Sequence, residues 1–285
     1  MIEFIVTADT GSGNKSQKDV ALSMERLIKK NPKIKSVLLL GDNIYESGCY
    51  GVDDPQFNTK FREPYQNIHL PFYLCLGNHD YGTYISNYSQ VQVDYTTSKN
   101  NKDKKWNLPH KWYTQHYPMI SFFFIDTNLD WLNESSIQAQ LYKTIDEIKK
   151  SKNQWKVLCG HHTWRSVGGH GNAEKRFEIF MDDLFNEVSI DLYMCGHDHC
   201  KSIIEVPKNN KTIATLVIGT GGKVYDEGLF YPSNLKDKSI LQYFSPNLGV
   251  CHMKVDNQSL KLICYNEKLQ EEYEYKCKLF LLRSY

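Results

Sequence analysis

Short apolar runs alternate with amphipathic stretches over the first two-thirds of the chain. Residues 2–8 form a strand-sized run, and residues 16–30 place Val20, Met24, Leu27 and Ile28 on one face of a helical period. Further strand-sized runs follow at 36–40, 72–76, 120–126, 155–159 and 191–195. Residues 137–150 are helical by the register of Ile137, Leu141, Ile145 and Ile148, and another helix is predicted over 173–186. The last third is richer in strands, at 212–218, 248–255, 260–265 and 273–279. Strand–helix alternation followed by strand pairs predicts a layered α/β domain with sheets inside and helices outside. No internal repeat and no linker interrupts it, so a single domain over 1–285 is expected. The polar segment 95–109, with its Lys-rich stretch 99–105, breaks the pattern and reads as a solvated loop.

Composition narrows the function classes. Against 34 Lys and Arg stand 33 Asp and Glu, a net charge of +1, which argues against a protein that grips nucleic acid through its overall field. The apolar runs are far too short to span a bilayer, so no membrane association is expected. The N-terminus, MIEFIVTAD, has no basic region ahead of a long apolar stretch. No signal peptide is therefore read, which favours an intracellular home, or a secreted or lysosomal one if the sequence is a processed form. The eight cysteines lie largely inside apolar runs and read as small buried thiols rather than a disulfide framework.

The candidate chemistry sits where strands end. Five polar clusters follow predicted strands directly: Asp9-Thr10-Gly11, Gly41-Asp42-Asn43-Ile44-Tyr45, Gly77-Asn78-His79-Asp80, Gly160-His161-His162 and Gly196-His197-Asp198-His199. Ligands of open α/β sheets collect outside the carboxyl ends of strands. Carboxylate, amide, phenol and imidazole groups converging there are metal-site chemistry. Two look-alikes fall away. Asp9-Thr10-Gly11 resembles half an aspartic-protease site, but no second such triplet exists to share a proton. The stretch DTGSGNKS mimics a phosphate-binding loop, yet Asp9 and Asn14 occupy positions where that loop needs glycine. Taken singly, each residue also fits a plainer role. The carboxylates and histidines fit polar strand-end caps, Tyr45 a packing aromatic, His170 a surface histidine in a Gly-rich loop, and His162 a structural group. Gly219-Thr220-Gly221-Gly222 fits a turn.

Together the clusters resemble the motif set of the metallophosphoesterases, and within them the purple acid phosphatases and the small tartrate-resistant acid phosphatases. The likeness rests on GDNIY with its tyrosine, YMCGHDH from Tyr193, the interval from His161 to His170, and Lys105-Trp106-Asn107-Leu108-Pro109, and it spans essentially the whole chain. It implies a four-layer sandwich of two mixed β-sheets with helices outside. It also implies two metal ions, one held by Asp9, Tyr45 and His199, the other by Asn78, His161 and His197, with Asp42 bridging. Hard oxygen donors suit ferric iron on the first side, and the amide with two imidazoles suits a divalent iron, zinc or manganese on the second. The implied reaction is hydrolysis of a phosphomonoester by metal-bound hydroxide attacking phosphorus in line. His79 and His170 match the substrate-side histidines, with Asp80 orienting His79. A small phosphorylated molecule is the implied partner, with no obligate protein.

Departures from the family pattern are Gly169, where a Glu or His often stands, and Thr163, where a proline is common. By the same resemblance, 99–105 aligns with a segment that lies over the site and restrains activity. Trp106, Trp112, Tyr81 and Tyr84 are the candidates for a substrate rim. Two alternatives accompany the monoesterase reading: a phosphodiesterase or nucleotide-directed relative, and a non-catalytic scaffold on the same fold.

Overall fold

The apolar runs become strands buried on both faces. In the computed structural model, which describes residues 1–83, 86–225 and 229–277, β1 (Ile2–Thr7) sends Phe4 and Val6 into one apolar cluster and Ile5 into another. Successive side chains point to opposite faces, so a strand covered on both sides is apolar almost throughout. The helix α1 (Lys15–Lys30) starts at Asn14, whose side chain accepts the Gln17 N–H at 3.1 Å and satisfies a free donor of the first turn. Then follow β2 (Ile34–Leu40), β3 (Phe72–Cys75), the ribbon β4 (Gly82–Thr83) and β5 (Ser86–Asn87), α2 (Ser89–Tyr95) and β6 (Trp106–Asn107). The second half runs β7 (Tyr113–Tyr117), β8 (Ile120–Phe124), α3 (Glu134–Lys150), β9 (Trp155–Cys159), α4 (Lys175–Glu187) and β10 (Leu192–Cys195). It closes with β11 (Lys201–Lys208), β12 (Lys211–Ile218), β13 (Ile240–Ser245), β14 (Gly249–Val255), β15 (Leu260–Asn266) and β16 (Glu271–Cys277).

These strands make two mixed seven-stranded sheets, in the orders β16-β15-β14-β1-β2-β3-β6 and β13-β11-β12-β10-β9-β8-β7. The strands that carry the polar clusters are parallel neighbours: β1, β2 and β3 in the first sheet, β9 and β10 in the second. Phe4, Val6, Leu38 and Leu40 meet Phe122, Phe124, Val157 and Met194 between the sheets. Outside the second sheet, α3 and α4 bury Ile137, Leu141, Phe177 and Leu184. Outside the first, α1 buries Val20, Met24 and Leu27 beside Phe57 and Phe61. The result is the expected four-layer sandwich, helix on sheet on sheet on helix.

Several elements depart from expectation. β4 to β7, β11, β13 and α2 have no counterpart among the sequence-predicted elements. The predicted strand 273–279 is seen as β16, with Lys278 and Leu279 outside the described residues. All eight cysteines are buried and free, as expected. The segment 99–105 is more than a solvated loop. Asn101 and Lys105 are buried, and the Lys105 ammonium donates to the Tyr65 carbonyl at 3.0 Å. The Asn100 amide donates to the Val52 carbonyl and the Asn101 amide to that of Thr96. These anchors belong to the outer face of the first sheet, so the expected position over the site is corrected.

Candidate metal centre

The carboxyl ends of β1, β2, β3, β9 and β10 converge, and tight backbone lets them do so. Asp9, Asp42 and His197 hold positive φ angles of 57°, 50° and 68°, turning the chain sharply where each strand stops. Gly77 and Gly196 admit no side chain, since a Cβ would overlap Asp42 Oδ1 at the first and Asp9 Oδ2 at the second. The His197 N–H donates to Asp9 Oδ2 at 2.9 Å, which ties the second sheet's edge to the first.

Two groups of side chains form, with Asp42 between them. In one, the Tyr45 hydroxyl donates to Asp9 Oδ1 at 2.9 Å, and His199 Nε2 lies 3.3 Å from the hydroxyl and 3.4 Å from Asp9 Oδ1. In the other, His161 Nε2 and His197 Nδ1 each stand 3.1 Å from Asn78 Oδ1. Asp42 Oδ1 lies 3.5 Å from His161 Nε2. The Leu40 carbonyl, 2.9 Å from His161 Nδ1, can only accept, so it fixes the tautomer and leaves Nε2 free toward the site.

The electrostatics ask for a cation. Asp9 and Asp42 are fully buried, and their ion-pair partners among the described residues are histidines alone. Burial pushes the Asp42 carboxyl well up, and the Asp9 and Asp80 charges push it further. Burial also raises Asp9, but the His199 hydrogen bond, the charges of His161 and His199 and the Tyr45 hydroxyl outweigh it and hold Asp9 low. Burial drives the Tyr45 phenol far up, and the two carboxylates add to that. Burial lowers His161 and His197, keeping both imidazoles neutral as metal ligation requires. One ligand atom each from Asp9, Asp42 and His161 lies within 4.8 Å of the others. Two buried carboxyls whose ion-pair partners among the described residues are histidines, together with a phenol, an amide oxygen and three imidazoles, fit a pair of bound cations.

The remaining expected residues fall variously. The His79 ring lies against that of Tyr45, tilted by 60° with centroids 4.6 Å apart, and presents Nε2 4.0 Å from Asp42 Oδ2. His170 lies on the His197 ring at 4.0 Å, with its own N–H bonded to Asp198 Oδ1 at 2.8 Å. Asp80 does not orient His79. Its buried carboxylate accepts from the N–H groups of Asn43, Ile44 and Gly77 and the amides of Asn43 and Gln92, stitching the loops after β2 and β3 together. Burial pushes its pKa up to about 6 despite those bonds. His162 bonds Thr127 Oγ1 at 2.7 Å, the structural role expected of it. The backbone of 219–222 packs against the site from below, with Gly221 N–H bonded to the Ala8 carbonyl at 2.9 Å.

Sequence reasoning missed three contributors. Asp198 accepts from the Ser166 hydroxyl, the N–H groups of His170 and Gly171, and the Tyr225 hydroxyl, joining two segments around His170. Lys223 and Glu46 stand beside Tyr45 and His79. The expected rim is also different. Trp106 and Tyr81 are buried, Trp112 lines a separate depression with His110, and Tyr84 lies outside the described residues. A cavity of about 380 Å³ instead opens beside Asn78, His170 and His197, walled by Asn128, Trp131, Arg176 and Phe177.

Such a donor set, two groups of side chains meeting at one carboxylate at converging strand ends, is of the kind that two-metal hydrolases use. The chain belongs to the calcineurin-like phosphoesterase family, whose profile matches residues 2–201. It is 28% identical to purple acid phosphatase 4 of Arabidopsis thaliana, over 93% of this chain and 80% of that protein. Identity to tartrate-resistant acid phosphatase type 5 of Homo sapiens is 25%, over 57% of this chain and 54% of that protein. Among solved structures, GAP50, the anchor in the inner membrane complex of Plasmodium, matches with a TM-score of 0.80 at 20% identity. That match covers 99% of this chain and 90% of the other. The expected likeness to purple acid phosphatases is thus found, and it supports phosphoester hydrolysis with small phosphorylated substrates. No helix among the described residues is long and apolar enough to cross a membrane.

Proposed function

We propose that this chain hydrolyses phosphomonoesters at a dinuclear metal centre. The observation that carries the reading is the pair of ligand groups, Asp9–Tyr45–His199 and Asn78–His161–His197, meeting at Asp42. Asp9, Tyr45 and His199 would hold a trivalent iron, and Asn78, His161 and His197 a divalent ion, with Asp42 shared. Bound metals would supply Lewis acidity toward the phosphate oxygens and an activated water. His79 and His170 then flank the position of the ester, where they stabilise developing charge and one of them protonates the leaving alkoxide, worth roughly 10²–10⁴ in rate. The cavity walled by Trp131 and Phe177 receives the leaving group.

The test is metal content with colour. Purified protein should hold two metals per chain and show a visible phenolate-to-iron band, and Tyr45→Phe should abolish the band while the fold persists. A folded, colourless, metal-free protein refutes the reading. Comparing a monoester with a diester reporter separates it from a phosphodiesterase. A second reading has one observation behind it, the likeness over nearly the whole chain to a protein described as an anchor. A docking scaffold of that kind predicts no turnover even after metal loading.

A further inference from the structure

The corner formed by Tyr45, Glu46, His79 and Lys223 has a geometry that the strand-end clusters do not explain. The Lys223 ammonium stands 3.7 Å from the centroid of the Tyr45 ring and 3.1 Å from Glu46 Oε1. The other face of this corner is His79. Its ring lies 4.6 Å from that of Tyr45, and its Nδ1 is 2.7 Å from the Glu46 carbonyl oxygen and 3.8 Å from Glu46 Oε2. A carbonyl can only accept, so Nδ1 carries the proton and Nε2 faces Asp42 Oδ2, 4.0 Å away. One ammonium therefore touches both neighbours that frame the His79 ring, an aromatic face and the residue that holds Nδ1.

The Tyr45 ring is a fixed platform, buried and with its hydroxyl bonded to Asp9, so it is Glu46 that needs holding. The Glu46 side chain is 71% exposed, whereas that of Lys223 is 27% exposed and follows a backbone that Gly221 ties to the Ala8 carbonyl just past β1. A cation over a tyrosine ring is attracted by the ring's negative face, and its bond to the adjacent carboxylate fixes the second residue in the same stroke. We propose that Lys223 is the positioning residue for His79, acting through Glu46 and the Tyr45 ring. The role expected of Asp80 thus passes to a residue 144 positions further along the chain than His79. The inference rests on the proposed hydrolase reading and takes His79, of the two substrate-side histidines, as the proton donor to the leaving group.

That dependence sets the experiment. Lys223→Met keeps an unbranched stem over the Tyr45 ring and removes the charge. On glycerol 2-phosphate, whose alkoxide needs a proton to leave, kcat should fall about tenfold, part of what a positioned acid supplies. On 4-nitrophenyl phosphate, whose phenolate leaves unaided, kcat should fall less than about twofold. Lys223→Arg should restore the wild-type ratio. In the metal-free protein, NMR of the imidazole nitrogens, assigned with His79→Gln, should show a single Nδ1–H tautomer for His79 that becomes a mixture in Lys223→Met. Equal losses on both esters, a raised KM at unchanged kcat, or an unaltered tautomer would each overturn the proposal. A wild-type chain that hydrolyses neither ester sinks the hydrolase reading instead, and the tautomer measurement then still decides what Lys223 does.

Discussion

Asp42→Asn should change stability in opposite directions with and without metal. Asn keeps an oxygen for the His79 N–H, which Asp42 Oδ1 accepts at 3.0 Å, so local structure is preserved while a charge is lost. Ligand oxygens of Asp9 and Asp42 lie within 4.8 Å, and two unit charges at that separation repel by about 3.5 kcal/mol at an effective dielectric of about 20. Proton uptake by the raised Asp42 carboxyl relieves part of this, leaving about 1–3 kcal/mol to be gained by the metal-free variant near pH 8. Loaded protein should show the reverse. Two metals, each present at a hundred times its dissociation constant, together stabilise the native state by about 5.4 kcal/mol, and a variant without the shared carboxylate forfeits most of that, more than its metal-free gain. Urea unfolding of both proteins, in chelator and in excess metal, measures the four free energies. If Asp42→Asn weakens the metal-free chain as much as the loaded one, Asp42 is a structural carboxylate and the bridging role is wrong.

Two further substitutions probe the surroundings. Burial, with the charges of His161 and His170, pushes the His162 pKa down to about 3, so the native state stays neutral where the unfolded chain takes a proton. Stability is then present above the unfolded value near 6.5 and lost as pH falls toward 3; by pH 5 the loss from this residue is about 2 kcal/mol. His162→Asn, measured by urea unfolding of metal-free protein at pH 7.5 and 5, should flatten the dependence by that amount, and an unchanged slope rejects the assignment. Asp80→Ala strips the acceptor from five buried donors and should cost about 4 kcal/mol of stability. A large fall in kcat at unchanged unfolding midpoint would hand Asp80 back its expected role beside His79.

The sequence was legible where local pattern and global burial agree. β1, β2, β9 and β12 are apolar runs because both of their faces are covered, and the polar residues just after β1, β2, β3, β9 and β10 declared the site. Strands with mixed faces hid. β7 reads Tyr-Thr-Gln-His-Tyr, and β11 carries Pro207 near its end, a residue that argues against a strand unless it sits at an edge or terminus. Contacts between distant segments were out of reach altogether. Nothing local says that Asp80 turns toward Asn43 and Gln92 rather than His79, that Lys223 reaches Tyr45, or that Tyr225 shares Asp198 with the His170 loop. Such pairings depend on which strand ends are neighbours within a sheet and, for Lys223 and Tyr45, on how the two sheets face, which no window along the chain reports.

Asp9, Asp42 and His197 each sit in a left-handed backbone that costs a residue bearing a side chain roughly 1–2 kcal/mol. Glycine takes the same conformation freely. Glycine at these positions would relieve that cost but forfeit the candidate ligands, and at Asp9 and Asp42 also the acceptors of the His197 and His79 N–H groups. Strain-relieving substitution is therefore the wrong route to a more stable variant here, and the three positions should be held fixed in any such engineering.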